Sequence, residues 1–192
     1  EAAYGQAKKL VSEGASVIDV GAESTRPGAK KINADDEWKR LGPVLEILKD
    51  KGINAWISVD TRHPETAQKA ILTGVDWIND VSGLNNKKML DIVAPNAVNL
   101  VLMHNLGIPA DKNVTMPENE DVVLAILEWT EEKILALEGR RILRDRIILD
   151  PGIGFGKTAK QSYEIIKTWR KINGRSFAKI FFKPIHQETG RK

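Results

Sequence analysis

The sequence predicts an α/β protein built on a parallel sheet, a (β/α)8 TIM barrel that is incompletely represented in its 192 residues. Three observations lead there. Five short apolar runs alternate with segments of helical periodicity. Each crossover must return the chain to the same end of the sheet, which makes the strands parallel and lays helices over them. The apolar runs also end on polar side chains: Asp19, Asp60, Asn79 with Asp80, His104 and Asp150. A doubly wound sheet satisfies the alternation equally well, but several strand ends share one mouth most easily in a barrel. A complete barrel takes about 250 residues, so five strands make part of one.

The elements follow in order. Ala3, Ala7, Leu10 and Val11 recur at helical spacing over 2–13, and Gly14 stops that helix before the strand Ser16 to Val20. Trp38, Leu41, Leu45 and Leu48 mark a helix over 35–51, with Asp35 or Asp36 near its start, and Ala55 to Asp60 is the second strand. A helix from Pro64 to Leu72 ends at Gly74 ahead of the strand Asp76 to Val81. A short helix over 86–93 precedes the strand Asn99 to His104. After a polar segment from Gly107 to Asn119, a long helix over 121–138 carries Val122, Val123, Ile126, Leu127, Ile134 and Leu137 on one side. Arg146 to Asp150 is the fifth strand, and a helix spans 159–170. The run Arg175 to Phe182 is a strand or a helix start, since its period is ambiguous over so few residues.

Composition removes several function classes. Lys and Arg total 29 against 26 Asp and Glu, a net charge of +3 spread among acids, which argues against a nucleic-acid partner. The absence of Cys excludes disulfides, thiolate metal sites and cysteine nucleophiles. No run approaches the roughly 20 apolar residues of a membrane helix, and the opening lacks the order of a signal peptide. It also begins without Met and inside a helix, so an upstream segment is expected.

The chemistry concentrates after the strands. Gly21 to Gly28 combines Glu23 and Arg26 with the hydroxyls of Ser24 and Thr25 and the turn Pro27-Gly28, the makings of a cap or of a polar loop over a catalytic mouth. Asp60 and Asn79 can form a matched edge for a heterocycle, because a carboxylate accepts two N–H bonds while an amide both donates and accepts. Met103 offers an apolar wall to an aromatic ligand, and His104 is a satisfied core histidine by default. Three His, no HExxH and no Cys argue against a protein-built zinc site. Asp150 to Thr158 places glycines for close backbone approach, Phe155 to cover a ring, and Lys157 to meet an anion or cap a turn. It is not a Walker A loop, because Pro151 stands where the first Gly is required, and Gly152-Ile153-Gly154-Phe155-Gly156 closes one residue too early for GxGxxG.

Together, Asp19 to Gly28, Ser58-Val59-Asp60-Thr61, Ile78 to Gly83, Leu102-Met103-His104 and Leu149 to Thr158 resemble the dihydropteroate synthase family. The resemblance implies a single partial pterin-binding barrel domain over 1–192. It further implies condensation of 6-hydroxymethyl-7,8-dihydropterin pyrophosphate with p-aminobenzoate to dihydropteroate and pyrophosphate, with Mg²⁺ as cofactor. By motif, Asp60, Asn79 and Asp150 form the polar pterin pocket and Met103 and Phe155 its apolar flanks. Thr25, Arg26 and Pro27 lie in the loop that helps form the p-aminobenzoate site. Asp60, Arg26 and Asp150 carry the catalytic roles, and no residue of this chain is assigned to the metal. A cytoplasmic homodimer without nucleic-acid or membrane partners completes the expectation, as does sensitivity to sulfonamides.

The sequence departs from the family in three places. The first strand, with its Asn near Mg²⁺, has no counterpart before Glu1. The late Ser-Arg-Lys-Ser motif is represented only by Gly174-Arg175-Ser176-Phe177, and His186 does not sit in the final Arg-x-His segment. Missing sequence is the expected cause. The rival readings are a pterin-binding methyltransferase domain, which would act on a methylated folate, and a non-catalytic homologue.

Overall fold

A computed structural model describes residues 1–24, 30–111 and 113–172, the side chains of 169–172 excepted. The chain runs α1 (Ala2–Ser12), β1 (Val17–Gly21), α2 (Ala34–Asp50), β2 (Trp56–Asp60), α3 (Pro64–Leu72), β3 (Trp77–Asp80), α4 (Lys87–Val93), β4 (Asn99–Met103), α5 (Val122–Glu138), β5 (Ile147–Asp150) and α6 (Ala159–Ile172), with one 3-10 turn at Arg144–Arg146. Among the described residues the predicted elements form, with ends within about two residues, the ordinary fraying of boundaries. The predicted element at Arg175 to Phe182 lies outside the described residues.

Local chemistry starts the helices. Asn33 accepts from the Asp36 N–H at the head of α2, whose first turn carries Asp35, Asp36 and Glu37 against the positive end of the helix dipole. Pro64 opens α3 where no N–H is needed. Asp121 caps α5 through the N–H groups of Val123 and Leu124. Ahead of α6, Thr158 and Gln161 cap each other reciprocally, at 2.9 and 3.2 Å.

The sheet is parallel throughout, in the order β1-β2-β3-β4-β5. This decides between the two predicted architectures. A doubly wound sheet reverses its strand order at a switch point, whereas consecutive parallel neighbours joined by crossovers of one hand keep every helix on one face. The chain is therefore part of a singly wound (β/α)8 barrel.

Register sorts the strand side chains. Asp60 lies opposite Asn79, Asn79 opposite Val101, Val101 opposite Ile148, and Met103 opposite Asp150. Residues two apart on a strand share a face, so Asp19, Ser58, Asp60, Asn79, Val101, Met103, Ile148 and Asp150 all point inward. Val59, Ile78, Leu100, Leu102 and Ile147 point out, where they pack with Leu41, Leu45, Ala67, Met89 and Ile134 of the helices. The main core thus lies between sheet and helices, and polar groups occupy the other face near its carboxyl edge. No helix among the described residues is long and apolar enough to cross a membrane.

Candidate active site

The inward-facing strand ends make the site. Asp60, Asn79, Met103 and Asp150 are all buried, at 8%, 2%, 3% and 8% exposure. Gly21 gives Asp60 its space, because a β-carbon at Gly21 would come within 3.1 Å of the Asp60 β-carbon. Asn79 donates through Nδ2 to Asp19 Oδ2 at 3.1 Å, and its Oδ1 is buried without a hydrogen-bond partner. Buried polar atoms normally have partners, so this carbonyl oxygen is an acceptor facing the barrel interior with no donor among the described residues.

One sequence expectation is corrected here. Asp80, grouped with Asn79 as a polar strand end, belongs to the opposite face, because adjacent strand residues alternate. It is fully buried, and its Oδ1 accepts the Ser82 N–H at 2.8 Å. Burial raises its pKa against the opposing hydrogen bonds to Ser82 and Leu84. Its role is to shape the turn after β3, as an aspartate two residues ahead of an N–H commonly does.

At β1 and β2 a second polar cluster forms. Glu23 receives Arg62 through Nε at 2.6 Å and Nη2 at 2.9 Å, and its Oε1 also accepts the Ile32 N–H at 2.9 Å. Burial pushes the Glu23 carboxyl up, but Arg62 and Ile32 outweigh it and the net shift is downward. The hydrogen bond to Glu23 raises Arg62 in turn. Thr61 Oγ1 donates to the buried Glu37 at 2.6 Å, and His63 Nε2 stands 3.7 Å from Glu23 Oε2. Both Glu23 oxygens accept from Arg62. Thr25, Arg26 and Pro27 themselves lie outside the described residues.

At β4 and β5 a third cluster closes the mouth. Asp150 Oδ1 accepts the Gly152 N–H at 2.7 Å, and the Asp150 carbonyl accepts the His104 N–H at 3.0 Å. Gly152 has φ of +66°, and a β-carbon there would lie 1.9 Å from the His104 carbonyl oxygen. Phe155 is half-buried. Lys157, only 7% exposed, directs Nζ at His104 Nδ1, the His104 carbonyl and the Phe155 carbonyl. Burial lowers Lys157 to about 7, with Asp150 opposing; burial and then Lys157 lower His104 to about 4. His104 meets Trp129 edge to face at 4.9 Å. It is a satisfied core histidine, as expected.

Sequence reasoning missed Arg62, Glu37 and His63 as site neighbours. The available signal was position, since Arg62 and His63 immediately follow the strand-end pair Asp60-Thr61. Lys157 turns its donors to protein acceptors, which favours the capping alternative.

The donor chemistry bears on Mg²⁺. Among the described residues, one group of three potential ligands comes within 4.8 Å: Glu23, Glu37 and His63. Mg²⁺ demands near-ideal octahedral oxygen coordination, whereas this group brings an imidazole and two carboxylates, of which Glu23 has both oxygens held by Arg62 and Ile32 and Glu37 accepts from Thr61. This group therefore does not fit a Mg²⁺ cage.

Comparison with known proteins bears on the same residues. The family described as pterin binding enzyme matches residues 1–182. Dihydropteroate synthase of Escherichia coli strain K12 is 34% identical over 160 residues, which is 83% of this chain and 56% of that one. The crystal structure of dihydropteroate synthase from Anaplasma phagocytophilum with bound 6-hydroxymethylpterin-monophosphate superposes with a TM-score of 0.84 at 39% identity, covering 92% of this chain and 70% of that one. The Xanthomonas albilineans enzyme with 4-aminobenzoic acid gives a TM-score of 0.78 at 36% identity, over 88% and 59%. Of three longer folate-synthesis relatives, the chain spans 20%, 19% and 25%.

Proposed function

The chain belongs to the pterin binding enzyme family, and we propose that it is the pterin-binding part of a dihydropteroate synthase. The reaction joins 6-hydroxymethyl-7,8-dihydropterin pyrophosphate to p-aminobenzoate. The C9–O bond breaks and its electron pair leaves on pyrophosphate; the aromatic amine forms the new C9–N bond and releases one proton. The observation that carries this reading is the common inward face of Asp60, Asn79, Met103 and Asp150.

Asp150 and Asp60 accept N–H groups of the pterin, and Asn79 Oδ1, buried without a partner, accepts another. Met103 and Phe155 flank the ring. As the C9–O bond weakens, positive charge grows on the pterin, and the carboxylate of Asp60 favours it electrostatically. The amine is already neutral near pH 7, so no strong base is required, which suits a site whose histidine is buried and hydrogen-bonded. Thr25, Arg26 and Pro27 serve the p-aminobenzoate side, with Arg26 near the leaving diphosphate. Mg²⁺ would be held chiefly by that diphosphate and its waters. A cytoplasmic homodimer is part of the same proposal.

Asp150→Asn tests the assignment, because it keeps size while removing the charge that the pterin's paired N–H groups need. Pterin affinity and turnover should both fall, by about tenfold or more for a lost charge-assisted hydrogen bond. A folded Asp150→Asn protein with unchanged pterin affinity and rate would remove Asp150 from the pocket. Product analysis with both substrates separates this reaction from methyl transfer.

A further inference from the structure

We propose that Lys157 is a positioning residue, whose ammonium group ties the end of β4 to the β5–α6 loop and so sets where Asp150 and Phe155 meet the pterin. The inference rests on the pterin-binding reading above and assigns a role to a side chain that the reading does not use.

Donor counting is the first argument. An ammonium has three N–H donors and no acceptor. Lys157 Nζ has three acceptors: His104 Nδ1 at 2.8 Å, the Phe155 carbonyl at 3.0 Å and the His104 carbonyl at 3.2 Å. Every donor is used, so none remains for a substrate anion. Because Nδ1 accepts, the ring proton of His104 sits on Nε2, and Trp129 packs against that ring.

Closure of the loop is the second. Asp150 is bonded through its own carbonyl to the His104 N–H and through Oδ1 to the Gly152 N–H. Phe155 N–H donates back to the Gly152 carbonyl at 3.0 Å. Lys157 then returns from the far side of Phe155 to His104, completing a ring of contacts that includes the Asp150 carboxylate and the backbone of Phe155, the residue whose side chain is assigned to the pterin. The missing side chain at Gly152 keeps the strand ends together, since a β-carbon there would lie 1.9 Å from the same His104 carbonyl oxygen that Lys157 bonds.

The titratable side chains facing Lys157 are His104 at the end of β4 and Asp150 at the end of β5, and the Asp150 carboxylate favours the ammonium form. With Lys157 at about 7 and His104 at about 4, ammonium and neutral imidazole coexist between those values. Above them the amine keeps two donors for three acceptors, and the positive charge beside Asp150 disappears. The ring of contacts loosens as pH rises through about 7.

The test uses the full-length protein and Lys157→Met, which keeps length without charge or donors. Pterin affinity and the KM for dihydropterin pyrophosphate are measured from pH 5.5 to 9, with circular dichroism to establish folding. The wild type should bind pterin more weakly above pH 7. The variant should bind about tenfold more weakly below pH 7, the scale of a lost charge-assisted hydrogen bond, and lose that pH dependence. An active wild type whose affinity and pH profile Lys157→Met reproduces would overturn the proposal. A wild type that forms no dihydropteroate would count against the activity reading instead. Should Lys157→Met not fold, the ε-nitrogen resonance of Lys157 in ¹⁵N-lysine-labelled wild type decides: titration near pH 7 supports the buried ring of contacts, and titration near that of free lysine refutes it.

Discussion

The two rims of the strand fan hold charge in different ways. Beside β1 and β2, Glu23 meets Arg62, so charge is balanced by charge at an edge where Arg62 keeps 26% of its side chain in solvent. Beside β4 and β5, Lys157 is buried and meets two carbonyl dipoles and a neutral imidazole. The first arrangement is chemically robust, because both members stay ionised over a wide pH range and each shift favours the charged form. The second is poised, because burial works against the charged form of both His104 and Lys157.

The sharpest way to break the contrast is at Gly152. Its β-carbon would overlap the His104 carbonyl at 1.9 Å, and its φ of +66° is unfavourable to any side chain. Gly152→Ala should cost about 4 kcal/mol, or prevent folding, because backbone has to move. Chemical denaturation beside the wild type measures it; a loss under about 1 kcal/mol would mean that the close approach is not a structural requirement.

Acid provides the next test. His104 is shifted down from 6.5 to about 4, so its contribution to stability is complete above pH 6.5 and is lost as pH falls through 4. The unfolded chain binds the extra proton in that window, which gives a loss of about 3 kcal/mol. Urea unfolding at pH 7 and pH 4 should show it, and His104→Gln should lose less on acidification. Lys157 acts in the same sense at higher pH: its contribution to folding grows from about 7 toward the ordinary lysine value, while the pterin affinity proposed above declines. Stability and ligand binding that moved together through that window would contradict the poised rim.

The smallest effect belongs to the ion-paired rim. Glu23→Gln removes the charge from a bidentate contact whose cation is partly exposed, so the cost should be about 2 kcal/mol, below that of a fully buried pair. A double-mutant cycle with Arg62→Met isolates the pairwise part. Independence of the two substitutions would show that Glu23 acts through Ile32 rather than through Arg62.

The sequence by itself determined the alternation of strands and helices, the positions of their ends and the polar strand termini. Each of those signals is local: the apolar spacing of Leu41, Leu45 and Leu48 and the stop at Gly74 are legible within a turn or two of helix. It also contained the side chains of the pocket, because strands read as uniform apolar runs leave Asp60, Asn79 and Asp150 conspicuous. Tertiary structure alone decided which way those side chains point. Asn79 and Asp80 are neighbours in sequence, and a strand buried on both faces has no hydropathy alternation to separate them; only the register with β2 and β4 turns Asn79 inward and Asp80 toward the helices. Likewise Glu23 finds Arg62 39 residues away, and Lys157 finds His104 at a separation of 53. Partnerships at that range depend on which strands lie side by side, and burial of the Lys157 charge depends on everything packed around it, so neither is written in any short window of the chain.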